Sequence, residues 1–321
     1  EKIKSVGITQ IGMIVSPENK TDFESTLGDG SKYGIDITYI VQSEPKGLAH
    51  AVLMAHDFLG EDDFLMYLGD NLIMDDIRQF VEDFKEKKDL SALIMLSPVD
   101  DPSRFGIAVL ENNRIVKTVE KPKEPESNLA IIGLYLFRKD IFDGIANIKP
   151  SWRGEYEITD AIDWLIRNRG TVEGHIIYGW WKDTGKPEDL LEANHKILDD
   201  VVEDFRIDGM IEASSSLNGR VSVGEGTEVV NSVVRGPVII GKNCTISNAY
   251  VGPYTSIGDG VLIENCEIEN SIVMDEVRIS SLSSRIDSSL IGKKVEILEN
   301  DGKPKGVQII AGDLSKVVVS K

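Results

Sequence analysis

An apolar run from Phe64 to Leu68 ends in Gly69-Asp70-Asn71, a glycine, a carboxylate and an amide in succession. Asp70 in that setting offers hard oxygens to a divalent cation such as Mg²⁺, and Gly69 leaves room for a phosphate to come close. The same tripeptide also suits a turn or a helix cap ahead of Ile73, and alone it does not choose between the two. A second carboxylate with similar surroundings lies far along the chain. In Trp181-Lys182-Asp183-Thr184-Gly185, Asp183 follows a short β-like segment and precedes a glycine and a helix. By itself Asp183 is an ordinary turn residue; together the two aspartates could hold one metal ion. Two longer strings stand between and before them: Gln42-Ser43-Glu44-Pro45-Lys46-Gly47-Leu48-Ala49-His50-Ala51, and Val119-Glu120-Lys121-Pro122 followed by Ser127-Asn128-Leu129-Ala130-Ile131-Ile132-Gly133-Leu134-Tyr135. Read without context, Gln42 and Gly47 are a strand end and a helix cap, Glu120-Lys121-Pro122 is an exposed strand end, and Phe105 and Tyr135 suit a core.

Positioning such residues requires a frame, and the pattern supplies one. After a helix tail within Glu1 to Ile8, apolar strands at Ile11–Val15, Ile35–Val41, Phe64–Leu68 and Ala92–Ser97 alternate with helical stretches at Asn19–Leu27, Leu48–Phe58 and Asp75–Lys87. Strands separated by helices imply a parallel sheet covered on both faces, with ligands at the carboxyl ends of its strands. The order then changes. Gly106–Leu110 and Arg114–Val119 flank Asn112-Asn113 as a hairpin, a strand follows at Ile131–Phe137, and helices are expected near Asp140, at Ile158–Arg167 and at Pro187–Leu198.

Beyond Asp208 aliphatic residues recur every five or six positions, at Val223, Val229, Val234, Ile240, Ile246, Val251, Ile257, Ile263, Ile268, Val273 and Ile279. Glycine follows at Gly224, Gly241, Gly252, Gly258 and Gly292, where a tight corner needs a residue without a Cβ. Hexapeptide periodicity of this kind is the signature of a β-helix; an ordinary β-sandwich is the alternative. Polar residues between Asp204 and Asn218 mark the expected boundary, giving one domain over 1–206 and a repeat domain over 207–321.

With 54 acidic against 35 basic residues the formal net charge is −19, which disfavours nucleic acid and anionic membranes as partners. Any anionic substrate must be met by local cations or a metal. No apolar run is long enough to span a bilayer, no leader pattern opens the chain, and a cytoplasmic location is expected. Cys244 and Cys266 alone give neither a disulfide framework nor a zinc-ribbon spacing.

Taken in order, the Gln42, Gly69-Asp70-Asn71, Glu120-Lys121-Pro122, Arg153-Gly154-Glu155-Tyr156-Glu157-Ile158-Thr159-Asp160 and Trp181 to Gly185 strings resemble the glucose-1-phosphate thymidylyltransferase family of sugar nucleotidylyltransferases, in its long form, over essentially the whole chain. The resemblance implies a Rossmann-like, mostly parallel mixed α/β sheet followed by a left-handed parallel β-helix. It implies that Gln42 and the Gly47 backbone read a pyrimidine base and that Asp70 and Asp183 hold Mg²⁺. Glu120 is similar to the residue that holds sugar hydroxyls, and Lys121 to the one that neutralises the sugar phosphate. Phe105, Gly106, Asn128, Gly133, Thr159 and Trp181 match positions that line the sugar pocket. The implied reaction is attack by glucose 1-phosphate on the α-phosphorus of dTTP or UTP with release of pyrophosphate, by a homo-oligomer. The family also opens with a strand, a glycine-rich loop bearing a Thr-Arg pair and a later Lys-Pro; none of these precedes Ile11, and the 321 residues alone are expected to be inactive. Two rival readings are a bifunctional uridylyltransferase and acetyltransferase, and a non-catalytic regulatory paralogue. Against the first, His50, His56, His175 and His195 all precede the repeats, where an acyl-transfer base would be needed. Against the second stand Asp70, Lys121 and Asp183, which a degenerate subunit does not require.

Overall fold

A computed structural model describes residues 2–168, 170–202 and 205–299. In chain order its first part runs α1 (Lys2–Ser5), β1 (Gln10–Val15), α2 (Lys20–Leu27), β2 (Asp36–Val41), α3 (Leu48–Met54), α4 (His56–Leu59), β3 (Phe64–Tyr67), β4 (Asn71–Ile73), α5 (Arg78–Glu86), β5 (Leu90–Pro98), β6 (Gly106–Glu111), β7 (Arg114–Glu120), β8 (Leu129–Phe137), α6 (Ile141–Asn147), α7 (Ile158–Arg167), β9 (Thr171–Ile176), β10 (Trp181–Asp183) and α8 (Pro187–Asp200). Helix α5 begins at Arg78, three residues later than the pattern suggests, because the Asp76 carboxylate accepts the Arg78 N–H and forms a turn ahead of it. Asp183 ends a strand and does not sit in the turn after one.

Strand order in the main sheet is β3-β8-β5-β9-β7-β6, and β1 and β2 form a separate parallel pair. The sheet is mixed, as expected, but its neighbours are more often antiparallel than the helix-strand alternation suggests. β8 inserts between β3 and β5, which keep a common direction while each pairs antiparallel with β8; β5 with β9 is the parallel neighbour pair. Both faces are buried, so β5 reads as a continuous apolar run. Ala92, Ile94 and Leu96 face α3, α6 and α7 in one cluster, while Leu93 and Met95 face Phe80, Val81 and Phe84 of α5 in another.

The chain forms two compact units, Glu1–Asp183 and Thr184–Lys321. The boundary read from composition near residue 206 falls inside the second unit, because α8 is tied to the repeat region. Asn194 Nδ2 donates to the Tyr254 carbonyl (2.9 Å), Ser256 Oγ donates to Asn194 Oδ1 (2.6 Å), and the His195 ring stacks on Tyr254 with centroids 4.2 Å apart.

The repeats are a parallel stacked-strand solenoid of about five turns built from three ladders. Val229 lies beside Ile246 and Ile246 beside Ile263, coils of 17 residues; Ile263 lies beside Ile279 and Ile279 beside Ile297, coils of 16 and 18. Val229, Ile246, Ile263 and Ile279 are all 0% exposed. Gly224, Gly241, Gly252 and Gly258 serve close stacking rather than an unusual backbone: a Cβ on Gly224 would lie 2.6 Å from the Gly241 carbonyl, and one on Gly258 2.5 Å from Asp275, whereas a Cβ on Gly292 would meet nothing among the described residues. Left-handed backbone at the turns is carried by Asn231, Asn248 and Asn265, with φ of 43°, 48° and 51°. Asn231 Nδ2 donates to Asn248 Oδ1 of the next coil (2.7 Å). Truncating a stacked residue leaves a hole bounded by two coils that cannot collapse, so Ile246→Ala is expected to cost about 2–5 kcal/mol, read from denaturant unfolding of this unit's transition.

Candidate active site

Two aspartates 113 positions apart meet through strand pairing. β4 and β10 are antiparallel, with Asp183 opposite Asn71, so Asp70, one residue before β4, and Asp183, at the end of β10, share one edge. Asn71 organises this edge and is 9% exposed. Its Nδ2 donates to Asp70 Oδ1 (2.8 Å), and its Oδ1 accepts the indole N–H of Trp181 (2.6 Å) and the backbone N–H of Gly133 (3.1 Å). Gly133 sits in β8, where a Cβ would come 2.6 Å from Asn71 Cγ and 2.8 Å from Leu68 Cβ. A side chain at that position is therefore excluded by the amide that carries Asp70.

The hairpin β6–β7 brings up a second group. Gly106 pairs with Glu120, and a Cβ on Gly106 would lie 2.9 Å from Glu120 Oε2 and 2.8 Å from Thr159 Cγ2. The Thr159 hydroxyl donates to Glu120 Oε2 (3.3 Å), and the Thr118 hydroxyl fastens α7 to β7 by donating to the Thr159 carbonyl (2.7 Å). Arg153 reaches Glu120 at 3.8 Å, Glu155 at 2.9 Å and Glu157 at 3.5 Å. Lys121 follows in left-handed backbone, φ 43°, held by its N–H donating to the Phe105 carbonyl (3.0 Å); its side chain is exposed and has no ion-pair partner among the described residues. The Phe105 ring meets Trp181 edge-on at 5.5 Å, which joins the Glu120–Lys121 group to the Asp70–Asp183 edge.

Burial, then the neighbouring Glu157 carboxylate, hold the Glu120 carboxyl above the usual carboxylate range, against the opposing pull of Lys121, Arg153 and the Thr159 hydroxyl. A carboxyl raised in the fold favours the folded state most below its unfolded pKa, and that contribution is lost as pH rises through the folded value. Glu120→Gln is therefore expected to raise the melting temperature relative to the parent at neutral pH, with the difference vanishing below the ordinary carboxylate range; melting curves from pH 4 to 8 check this. Tyr135, 3% exposed, lies under both groups. Burial, with Glu120 and Asp70 nearby, pushes its phenol up, so it stays protonated.

A third group lies at the β2–α3 junction. Gln42 Nε2 is 2.9 Å from His50 Nδ1 and donates to the Gly47 carbonyl (3.3 Å). Gly47 has φ 98°, and a Cβ there would lie 2.6 Å from the Tyr156 carbonyl and 3.0 Å from Glu155 Cβ. Tyr156 N–H donates to the Lys46 carbonyl (2.7 Å), so this junction abuts the segment that carries Arg153. Asn128 stays apart from the network. It is exposed, its carbonyl accepts the Val99 N–H, and its side chain makes no hydrogen bond among the described residues.

Asn71, Arg153, Tyr135 and His50 belong to this wall without having been assigned a role from sequence. Asn71 and His50 lie inside the strings that carry the resemblance, and Arg153 opens another; the signal was adjacency to the assigned residues.

Strand ends that gather two carboxylates, an exposed lysine and a glycine-lined wall suit nucleotidyl transfer, and the comparisons give the family. A family model described as nucleotidyl transferase matches residues 1–200, and the chain belongs to that family. It is 45% identical over 320 residues to a glucose-1-phosphate thymidylyltransferase of Streptomyces antibioticus, covering 99% of this chain and 89% of that protein. Identity to the glucose-1-phosphate thymidylyltransferase of Streptomyces griseus is 42% over 321 residues, with 100% and 89% covered. Among solved structures, a glucose-1-phosphate thymidylyltransferase from Bacillus anthracis in complex with sucrose is similar at TM-score 0.56 and 42% identity, covering 60% of this chain and 78% of that one.

Proposed function

We propose that this chain transfers a thymidylyl group from dTTP to glucose 1-phosphate, giving dTDP-glucose and pyrophosphate, with UTP as the alternative donor. The observation that carries the reading is the pairing of Asp183 with Asn71, which sets two sequence-distant carboxylates on one edge next to a wall of sugar-sized polar groups. Relatives alike over nearly the whole chain bear names for this activity.

A phosphate oxygen of glucose 1-phosphate attacks the α-phosphorus of the nucleotide. The new P–O bond forms as the bond from the α-phosphorus to the bridging oxygen breaks, and pyrophosphate leaves with the electron pair. The nucleophile is already an anion, so no general base is required. Repulsion between the two anions is the main obstacle, and Lys121, exposed and without an ion-pair partner among the described residues, is the cation available to offset it. Glu120, oriented by Thr159 and Arg153, accepts hydrogen bonds from sugar hydroxyls; Phe105 and Trp181 supply an apolar flank. Gln42 and the Gly47 N–H face the imide edge of the base.

Members of this family work with a divalent metal, and Asp70 and Asp183 would hold it here as Mg²⁺. The donors suit it: two carboxylates at one edge supply hard oxygens and leave most coordination to water and phosphate, as Mg²⁺ prefers. When bound, the ion supplies charge neutralisation to the phosphates.

The test is pyrophosphate release by the full-length protein over a panel of nucleoside triphosphates and sugar 1-phosphates. dTTP with glucose 1-phosphate should give the highest kcat/KM; no release with any pair removes the proposal.

A further inference from the structure

Gln42 carries one NH2 group and one carbonyl oxygen, and which of them faces the base decides which bases can pair. Two acceptors lie on the same side of this amide. The Gly47 carbonyl, 3.3 Å from Nε2, can only accept, and it also takes the Ala51 N–H at 3.1 Å. His50 Nδ1 lies 2.9 Å from the same nitrogen. With Nε2 engaged on both, Oε1 is the atom left to meet a ligand. The contact with the imidazole is the shorter of the two restraints on this amide. For this, the His50 ring must be neutral with its proton on Nε2, leaving the Nδ1 lone pair to accept.

We infer that His50 is a positioning residue that fixes the amide of Gln42 with its oxygen outward, and thereby sets the selectivity of the site for bases bearing an N3–H over cytosine. Thymine and uracil offer N3–H to that oxygen. Cytosine offers a lone pair at N3, which meets Oε1 in repulsion. The inference rests on the reading of Gln42 as the base reader. It adds the origin of the discrimination: His50 sits in the first turn of α3 and does not itself need to touch the nucleotide. A leucine at this position, of similar bulk on a half-buried helix, keeps the packing but removes the acceptor. A glutamine restores an oxygen that can accept from Gln42.

Equilibrium binding of dTTP and CTP, and kcat/KM for each, are measured with the full-length protein and with His50→Leu and His50→Gln. His50→Leu should reduce the dTTP-to-CTP selectivity by about fivefold to tenfold, the value of one lost hydrogen bond that held an orientation. KM for glucose 1-phosphate should not change, and His50→Gln should recover most of the selectivity. An equal fall in affinity for both nucleotides in His50→Leu, or selectivity unchanged in either variant, overturns the inference while leaving the base-reading role of Gln42 intact. A parent protein that binds dTTP and CTP equally overturns both.

Discussion

Asp70→Asn is expected to lower kcat for nucleotidyl transfer by about a hundredfold to a thousandfold while leaving the unfolding transition nearly in place. The substitution is isosteric, and the new amide can keep an oxygen toward Asn71 Nδ2, so the hydrogen bond at 2.8 Å survives. What is lost is a formal negative charge on an exposed edge that would hold a divalent cation against two phosphates. Asp183→Asn should act alike, since the two residues meet across the same strand pair. Because they serve one ion, the double variant should be little worse than either single one; independent residues would multiply their effects. Raising Mg²⁺ in the assay should recover part of the lost rate in each single variant. Turnover by Asp70→Asn at the parent's level would show that the shared edge is not where the reaction is assisted.

Gly133→Ala is the second large effect, and it arises from packing. The added methyl would stand 2.6 Å from Asn71 Cγ and 2.8 Å from Leu68 Cβ, well inside contact distance. β8 cannot retreat, being paired on both sides by β3 and β5. The strain should cost about 1–3 kcal/mol in unfolding free energy. Activity should suffer more than stability. Asn71 is the neighbour best able to yield, and it holds Asp70 and Trp181 through its amide; displacing it by about 1 Å is enough to cost on the order of a hundredfold in kcat. A loss of stability with kcat unchanged would separate Asn71 from the positioning of Asp70.

Elements with a strong local signal were legible in the sequence. The hairpin at Asn112-Asn113, helix α7 and the start of α8 lie where periodicity and turn chemistry put them. Strand β4 has three residues, too few to show alternation, and β9 mixes Glu173, Gly174 and His175 into its run; both were missed. The sheet order was hidden for a different reason. Nothing local in Leu129–Phe137 tells that β8 inserts between β3 and β5, since that choice is made by two faces of apolar packing. At the candidate site, Asp70 and Asp183 could be named as carboxylates near strand ends, but their meeting depends on a pairing across more than a hundred residues. The role of Asn71 depends on three partners drawn from three strings, and none of them marks it in advance. Four of the five corner glycines need a missing Cβ, because of contact with the adjacent coil rather than the path of their own backbone; a Cβ on Gly292 has open space among the described residues.

Because, among the described residues, the strands of each coil pair only with the coil before and the coil after, the length of the repeat region is quantised. Evolution can lengthen or shorten such a stack by whole coils of 16 to 18 residues, each presenting the same three inward stations to its neighbours. One residue more or less is absorbed at a corner, as the coils of 16 and 18 residues show, while a part coil would put every later station out of line. Growth of this part is thus a matter of counting coils, and related chains should differ in tail length by about whole coils.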